Sequence, residues 1–355
     1  MEIRLIHEFP PSAGNPRNSE GAFLRGRGEG EILFAYSRYR GDSFHDHAAC
    51  DIALCVSHDE GRSWSEPRII AAASEFGTQN IMSVSAVEQA DGRLGFYFLI
   101  KENDFTTTLG RTLSEDGVHF VAERCVSKFP AAYYVVNNDR IVRLRDGRLV
   151  APAAYVSAEE NRTGRYREMV ATALVSSDDG ASFSKADFDF TTSDPVNARY
   201  GHQEPGVFER EDGSVYLWTR TGYGCQYESV SARGLEGFFQ PRASEFTSPP
   251  SPMQIKEIGG AVYAVYNPIP RYNGREMLPG TWGRTPIVLR KSLDGGRSFG
   301  ALHVIEGDPA RGYCYPAMFE TRDGRMLLAY CRGGEADGCT LCRLGIAEVE
   351  LSTVE

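Results

Sequence analysis

The sequence predicts an all-β fold, a single six-bladed β-propeller domain of four-stranded antiparallel blades that covers residues 1–355. Two periodic patterns predict it, a repeated Ser-x-Asp-x-Gly-x-x-aromatic motif and a series of glycine-containing hairpin turns. Each pattern recurs about every 60 residues. A chain of this length therefore divides into six units, and radial repetition lets these units form one domain.

The first pattern is a short motif that occurs in five versions. Three copies are complete, one is a residue shorter, and one has lost its Asp. They are Ser57-Asp59-Gly61-Trp64, Ser176-Asp178-Gly180-Phe183, Ser292-Asp294-Gly296-Phe299, the shorter Ser114-Asp116-Gly117-Phe120, and the degenerate Ser231-Arg233-Phe238. In such a turn the carboxylate accepts backbone N–H bonds and the glycine adopts a positive φ. We interpret these Asp-boxes as structural and not as catalytic.

The second pattern is a set of six hairpin turns flanked by apolar residues. They lie at Gly28-Glu29-Gly30, Asp91-Gly92, Asp146-Gly147, Asp212-Gly213, Gly259-Gly260 and Asp323-Gly324. Asp-Gly favours the primed turns that suit twisted hairpins. The hairpins alternate with the boxes, so each unit follows the order strand, glycine turn, strand, loop, strand, box, strand. No long helical period appears, and runs such as Ile32–Tyr36 and Val215–Trp218 have strand composition.

The alternation also predicts which face carries a functional site. Glycine turns join the first and second strands, and boxes join the third and fourth, so both kinds of turn lie at one face. The remaining loops lie at the opposite face. Polar residues of four blades fall in those loops or beside them: Arg17, Asp46, Glu204, Arg220, Arg284 and Tyr315. Asn80, at the start of blade two, and Asn138 with Asp139, at the start of blade three, are further candidates for substrate contact.

Composition and charge exclude several functions. The formal net charge is −10, which argues against nucleic-acid binding because phosphates require a basic face. No apolar run is long enough to span a membrane. The N-terminus has no signal-peptide pattern, which predicts a cytoplasmic protein, or a secreted one if a leader has been removed.

The cysteines and histidines do not form a recognisable metal site. Cys339 and Cys342 have C-x-x-C spacing, but no second pair with zinc-site spacing accompanies them. His45 and His47 flank Asp46 without a third ligand at a fitting distance. We therefore predict free thiols, no metal and no cofactor.

The motifs around these candidates resemble those of the sialidase (neuraminidase) family and its BNR-repeat relatives over nearly the whole chain. Asp46, in His45–Ala49, is similar to the family's acid/base Asp before the first box. Glu204, in Gln203–Val207, and Arg220 are similar to the family's Glu and the Arg that follows it. Arg284 is similar to the Arg before the last box, and Tyr315 to the Tyr that opens the final blade.

The sequence departs from the family pattern at its first arginine. Sialidases show an Arg-Ile-Pro stretch at the first strand, whereas this chain has Arg17 about two residues early and Glu20 closer to the expected place. Three guanidinium groups suit a planar carboxylate because each binds it bidentately. A carboxylate in place of one of them weakens anion binding, so the resemblance leaves the substrate open.

The resemblance implies hydrolysis of a terminal acidic sugar in a glycan, through a tyrosine nucleophile. Tyr315 attacks the anomeric carbon after Glu204 removes its proton, and Asp46 protonates the leaving oxygen. Arg220 and Arg284 hold the anion, with Arg17 or Glu20 at the third position.

Two alternatives stay open. The first is a hydrolase or lyase that acts on another acidic sugar such as a uronic acid. The second is a propeller that binds glycans without turnover. The joint presence of Asp46, Glu204 and Tyr315 speaks against the second, because binding alone requires no acid, base and nucleophile.

Overall fold

A computed structural model describes residues 1–157, 161, 168–192 and 200–355. Within these ranges the chain forms twenty-six strands arranged in six sheets, with three short 3-10 helices. The six sheets are the blades of the predicted β-propeller, and this prediction is confirmed.

The first strand, β1 (Ile3–Phe9), belongs to the last blade and is described with it. Blade one contains β2 (Asn18–Arg25), β3 (Ile32–Tyr39), β4 (Cys50–Ser57) and β5 (Arg68–Ala71). The 3-10 helix Ala73–Phe76 follows it. Blade two contains β6 (Ile81–Glu88), β7 (Leu94–Asn103), β8 (Thr106–Ser114) and β9 (Val121–Arg124).

Blade three is the least regular of the six. Its strands are β10 (Val126–Lys128), β11 (Ala132–Val135), β12 (Val142–Arg143), β13 (Leu149–Ser157), β14 (Val170–Ser176) and β15 (Ser182–Lys185). β11 and β12 pair with different parts of β13, so the inner strand is interrupted between them. β10 adds a short parallel pairing with β15 at the outer edge.

The last three blades return to the simple four-strand order. Blade four contains β16 (Gln203–Glu209), β17 (Val215–Arg220), β18 (Cys225–Val230) and β19 (Arg242–Thr247). Blade five contains β20 (Gln254–Ile258), β21 (Ala261–Tyr266), β22 (Ile287–Ser292) and β23 (His303–Glu306). Blade six contains β24 (Cys314–Glu320), β25 (Arg325–Cys331), β26 (Leu344–Glu350) and β1, with 3-10 helices at Glu335–Asp337 and Leu351–Thr353.

The hydrophobic core lies between neighbouring blades. Both faces of a blade are covered by its neighbours, so β3 and β25 are buried along almost their whole length instead of alternating. Leu33 of blade one and Phe96 of blade two share one such cluster. The outer strands have no such cover, and β9 is mostly exposed.

The Asp-Gly hairpins have a different turn from the one expected. Gly92 has a φ of 86°, whereas Asp91 is not among the residues with positive φ. The N–H of Gly92 donates to the carbonyl of Gln89 at 2.9 Å, and the N–H of Gln89 donates to the carbonyl of Arg93 at 2.8 Å. This is a type I turn closed by a left-handed glycine, because only one residue needs a positive φ. The expectation of a primed turn is corrected here.

The Ser-x-Asp-x-Gly turns repeat one hydrogen-bond pattern. At Asp178 the carboxylate accepts the Ser182 N–H at 2.8 Å and the Ser176 hydroxyl at 2.7 Å. The Ser176 hydroxyl oxygen in turn accepts the N–H of Gly180, whose φ is 82°. Phe183 lies fully buried beneath the turn.

Direct contacts between the two kinds of turn place them at one face. The N–H of Glu60 donates to the carbonyl of Gly30 at 2.9 Å. Arg297, in the box of blade five, pairs with Asp212, in the glycine turn of blade four, at 2.7 Å. The opposite face is therefore formed by the other ends of the strands and the loops that join them.

Closure of the ring explains why six hairpins accompany five boxes. In blade six the third strand is β26, and the fourth is β1 from the beginning of the described chain. The pairing runs from Ile3 opposite Val349 to Phe9 opposite Leu344. Since no turn connects these two strands, this blade has no place for a sixth box.

Candidate active site

A cavity of about 410 Å³ opens at the face opposite the turns. The inner strands and the loops of several blades supply its walls. Six of the residues singled out in the sequence line it: Glu20, Asp46, Glu204, Arg220, Arg284 and Tyr315.

Tyr315 and Glu204 are in direct contact across the cavity. The Tyr315 hydroxyl donates to Glu204 Oε1 at 2.9 Å, within the distance expected for a nucleophile and its base. Tyr315 lies in β24 and Glu204 in β16, each where the inner strand bulges. Their φ angles are 54° and 47°, a conformation that residues other than glycine adopt at a cost. The bulge turns each side chain out of the sheet and into the cavity.

Two arginines control the charge of this pair. Burial acts to raise the pKa of Glu204, but Arg220 and Arg284 outweigh it and lower that pKa. Arg220 Nη1 lies 2.9 Å from Glu204 Oε2. Burial and the negative Glu204 raise the pKa of Tyr315 well above its ordinary value. The phenol is therefore protonated at rest and faces an ionised carboxylate that can accept its proton.

Arg284 is held against aromatic rings and is almost fully buried. Its guanidinium carbon lies 4.9 Å from the ring centre of Trp282 and 5.9 Å from that of Tyr315. Nη2 donates to the carbonyl of Pro250 at 3.3 Å. These contacts fix a positive charge beside the ring of Tyr315.

Arg17 lies outside the cavity wall and does not supply a third guanidinium group to it. Its side chain is 1% exposed. Nη1 donates to Asp46 Oδ1 at 2.6 Å, Nε donates to the Ser19 hydroxyl at 2.9 Å, and Nη2 reaches Glu20 Oε2 only at 3.4 Å. Glu20 takes the place at the cavity. The prediction that Arg17 contacts substrate is therefore not supported by its position.

Asn80, Asn138 and Asp139 also lie outside the cavity lining, where their contacts are structural. The Asn80 amide donates to the carbonyl of Asp46 at 3.1 Å and so supports that loop. The Asn138 amide donates to the carbonyls of Gly21 at 2.9 Å and Tyr315 at 3.2 Å. Asp139 pairs with Lys256 at 2.9 Å. Their positions favour a structural role, and the substrate contacts of these three residues stay a prediction.

Most of the cavity lining was not identified from the sequence, and its polar and aromatic members include Lys101, Tyr133, Arg271 and Trp282. Lys101 donates to the carbonyl of Asp46, and Arg271 donates to the carbonyl of Trp282 at 2.8 Å. Burial lowers the pKa of both Lys101 and Arg271. No local motif marks these residues, because the ring closure alone brings them to the cavity.

Asp46 is held as an anion at the edge of the cavity. Desolvation acts to raise its pKa, but Arg17 and Lys101 outweigh this and lower the pKa to about 2. Its side chain is 59% exposed, so water screens part of the attraction. An aspartate is ionised at neutral pH even without that shift.

No group of three or more His, Cys, Asp or Glu side chains is placed to hold a metal ion within the described ranges. The eight cysteines are free, and the Sγ atoms of Cys339 and Cys342 lie 3.5 Å apart. His47 pairs with Asp104 at 3.4 Å. Across the part of the chain that the structure describes, no helix has the length and apolar character of a membrane span.

Fold and cavity together define a six-bladed propeller with a polar site at one end of its axis. Residues 35–328 match the family model of the BNR repeat-like domain. The chain therefore belongs to this family. No curated protein sequence matches it.

Solved structures share the fold at low sequence identity. A protein of unknown function from Dyadobacter fermentans has a TM-score of 0.71 at 16% identity, over 98% of this chain and 99% of that one. The NanB sialidase of Streptococcus pneumoniae has a TM-score of 0.71 at 13% identity, over 99% and 71%. The intramolecular trans-sialidase of Ruminococcus gnavus has a TM-score of 0.69 at 13% identity, over 98% and 97%. These likenesses show the common architecture.

Proposed function

We propose that the protein is an exo-acting glycoside hydrolase that removes a terminal acidic sugar from a glycan. The observation that carries this proposal is the 2.9 Å hydrogen bond from Tyr315 to an ionised Glu204 inside the cavity. A protonated nucleophile in contact with its base is the arrangement that covalent catalysis requires. The sialidases among the structural neighbours support the same class of reaction.

The proposed reaction begins with nucleophilic attack by Tyr315. Glu204 takes the phenolic proton as the phenol oxygen bonds to the anomeric carbon, and a carboxyl group on the opposite side of the cavity protonates the leaving oxygen. Water then releases the sugar, and Glu204 returns the proton to Tyr315. A neutral phenol suits this task because the carboxylate of an acidic sugar would repel a carboxylate nucleophile, whereas it does not repel an uncharged one.

The charges of the cavity support an acidic sugar. Arg220, Arg271 and Arg284 line one side, and Lys101 lines the other. Burial strengthens the interaction of such cations with a substrate carboxylate. The volume of about 410 Å³ lies near the lower end of ligand pockets, roughly 300 to 1,000 Å³, which fits a terminal sugar better than a chain interior.

A second candidate is a hydrolase or lyase for another acidic sugar, such as a uronic acid. The position of Glu20 favours it, because this carboxylate lines the cavity where a third arginine was expected. Arg17 is instead paired with Asp46 at 2.6 Å. A carboxyl group there suits a sugar hydroxyl better than a second anion.

The test compares an α-sialoside, a uronide and a neutral glycoside that carry the same fluorogenic leaving group. We expect turnover of an acidic sugar and a loss of at least about 1000-fold in kcat for Tyr315→Phe. Tyr313→Phe is the matched control, since Tyr313 is buried two residues away and outside the cavity.

A slow substrate then locates the nucleophile. With a glycosyl fluoride that carries a second fluorine beside the anomeric carbon, mass spectrometry should detect a sugar attached to Tyr315. Turnover of none of the three glycosides, or full activity of Tyr315→Phe, would contradict the proposal.

A further inference from the structure

Four inner strands share one backbone feature at the cavity. In β2, β6, β16 and β24 the pairing with the next strand shifts by a bulge. A residue other than glycine takes a positive φ there: Glu20 at 56°, Ser83 at 63°, Glu204 at 47° and Tyr315 at 54°. All four side chains line the cavity. Glu20 is therefore the blade-one counterpart of the proposed base and nucleophile.

Glu20 has a weak ionic partner despite its burial. It is 4% exposed, and its nearest cation, Arg17, approaches only to 3.4 Å. Arg17 makes shorter contacts with Asp46 and Ser19. A buried carboxyl without a close partner favours the neutral form. Burial raises the pKa of Glu20 to about 7, although Arg17 acts to lower it.

Asp46 has the opposite environment. It contacts Arg17 at 2.6 Å, and its loop is held by Lys101 through the Asp46 carbonyl. Its carboxylate is ionised at neutral pH and carries no proton to donate. Of the two carboxyl groups on this side of the cavity, only Glu20 lies in surroundings that favour its protonated form.

We propose that Glu20 is the catalytic acid and base of this site, and that Asp46 is a positioning residue that holds Arg17. This role rests on the proposed glycosidase function. In the first step the Glu20 proton moves to the glycosidic oxygen as the bond from that oxygen to the anomeric carbon breaks, and its electron pair stays on the leaving group. Tyr315 forms the new bond and loses its proton to Glu204.

The second step returns every group to its starting state. The Glu20 carboxylate takes a proton from water, and the water oxygen bonds to the anomeric carbon. The bond to Tyr315 breaks, its electron pair stays on the phenol oxygen, and Glu204 gives the proton back. Atoms and protons balance without any further reactant.

The test uses two glycosides of the sugar that the wild type hydrolyses, one with nitrophenol and one with a simple alcohol as leaving group. Nitrophenolate leaves without protonation, whereas an alcohol requires it. We expect Glu20→Gln to lose at least about 100-fold of kcat on the alkyl glycoside and far less in the bond-breaking step of the nitrophenyl glycoside. Asp46→Asn should affect both to the same degree. Glu29→Gln is the matched control, because Glu29 is exposed in the β2–β3 turn at the opposite face.

Two further measurements separate catalysis from a structural effect. Sodium azide should restore nitrophenyl glycoside turnover in Glu20→Gln and yield a glycosyl azide, because azide attacks without a base. The wild-type kcat/KM should fall as pH rises above about 7, and this limb should be absent in Glu20→Gln.

The outcomes are distinct. A loss confined to the alkyl glycoside in Asp46→Asn, with none in Glu20→Gln, assigns the proton to Asp46 and overturns the inference while the glycosidase function stands. If Glu20→Gln does not fold, the Asp46→Asn result and the wild-type pH limb decide between the two carboxyl groups. A wild type that cleaves neither glycoside contradicts the proposed function, and the role of Glu20 falls with it.

Discussion

The charged residues around the cavity form two groups with different partners. On one side Glu204 pairs with Arg220 at 2.9 Å, and Arg284 contributes further positive charge. On the other side Arg17 pairs with Asp46 at 2.6 Å and leaves Glu20 only loosely bound. This division keeps Glu204 ionised and Glu20 close to neutral, so two carboxyl groups in one cavity have different proton affinities.

The protonation of Glu20 predicts a pH-dependent stability. Its pKa is about 7 in the folded protein against 4.5 for the free side chain, so the folded state binds the proton more tightly. The stabilisation is complete below pH 4.5 and is lost as pH rises past 7. Relative to Glu20→Gln, the wild type should therefore lose up to about 3 kcal/mol of unfolding free energy between pH 4.5 and pH 8. Urea denaturation at several pH values measures this, and a constant difference would show that Glu20 is already ionised.

The arginines beside Glu204 predict two separable kinetic effects. Arg284→Ala and Arg220→Ala should each lower kcat/KM at least about tenfold, near 1.4 kcal/mol of transition-state binding. Loss of Arg220 also removes the charge that lowers the pKa of Glu204, so the acidic limb of the pH profile should move to higher pH. Arg297→Ala, at the opposite face, is the control. Equal pH profiles for wild type and Arg220→Ala would contradict the assignment of Glu204 as the base.

At the scale of elements, the strands and blades were predicted mainly from the residues of the turns. The Asp-Gly turns and the Ser-x-Asp-x-Gly turns depend on residues within a few positions of one another, so their alternation predicts strands and blades without knowledge of the assembly. The Asp-Gly dipeptide alone does not decide between a primed turn and a type I turn whose glycine is left-handed. The structure has the second kind at Gly92. The direction in which a side chain points was harder to predict than the type of turn. Arg17 and Glu20 lie three positions apart, and only the bulge in β2 decides which one faces the cavity.

Gly180, in a box turn, should be less replaceable than Gly147, in a hairpin turn. A Cβ on Gly180 would lie 2.0 Å from the hydroxyl of Tyr97, whereas one on Gly147 would meet nothing within 4 Å. Both have similar φ angles, 82° and 88°. Gly147→Ala should cost about 1 kcal/mol of unfolding free energy from backbone strain, and Gly180→Ala about 2 kcal/mol or more because Tyr97 must also move. Denaturant titration compares the two variants, and equal losses of unfolding free energy would mean that Tyr97 moves aside without cost.

At the scale of the whole molecule, the site depends on closure of the ring. Lys101 comes from blade two, Arg271 from the loop between β21 and β22 of blade five, and Leu341 from blade six. These residues share no motif, and the sequence therefore predicted the blades and six cavity residues but not the remaining wall. Their meeting is set by the packing of one blade on the next.

Removal of β1 should open the ring at blade six. β26 would lose its outer partner along the register from Ile3 to Phe9, and an unpaired strand edge favours association with other chains. We expect deletion of residues 1–9 to lower the melting temperature and to produce oligomers in light scattering. Deletion of residues 1 and 2, which precede β1, is the control. A monomer with unchanged melting temperature would show that β1 contributes little to closure.

The pairing of β1 with β26 also has a kinetic consequence. Arg4 donates to Glu348 across 344 positions of the chain, so this contact closes a loop that contains all the other blades. Contacts between distant parts of a sequence slow folding, since the entropy of the loop is lost before the contact forms. During synthesis, the first five blades can assemble while β1 waits without a partner, and the sixth is completed only after β26 has left the ribosome. The slowest step in folding should therefore be the docking of the first strand, and the newly made protein is most exposed to aggregation until then.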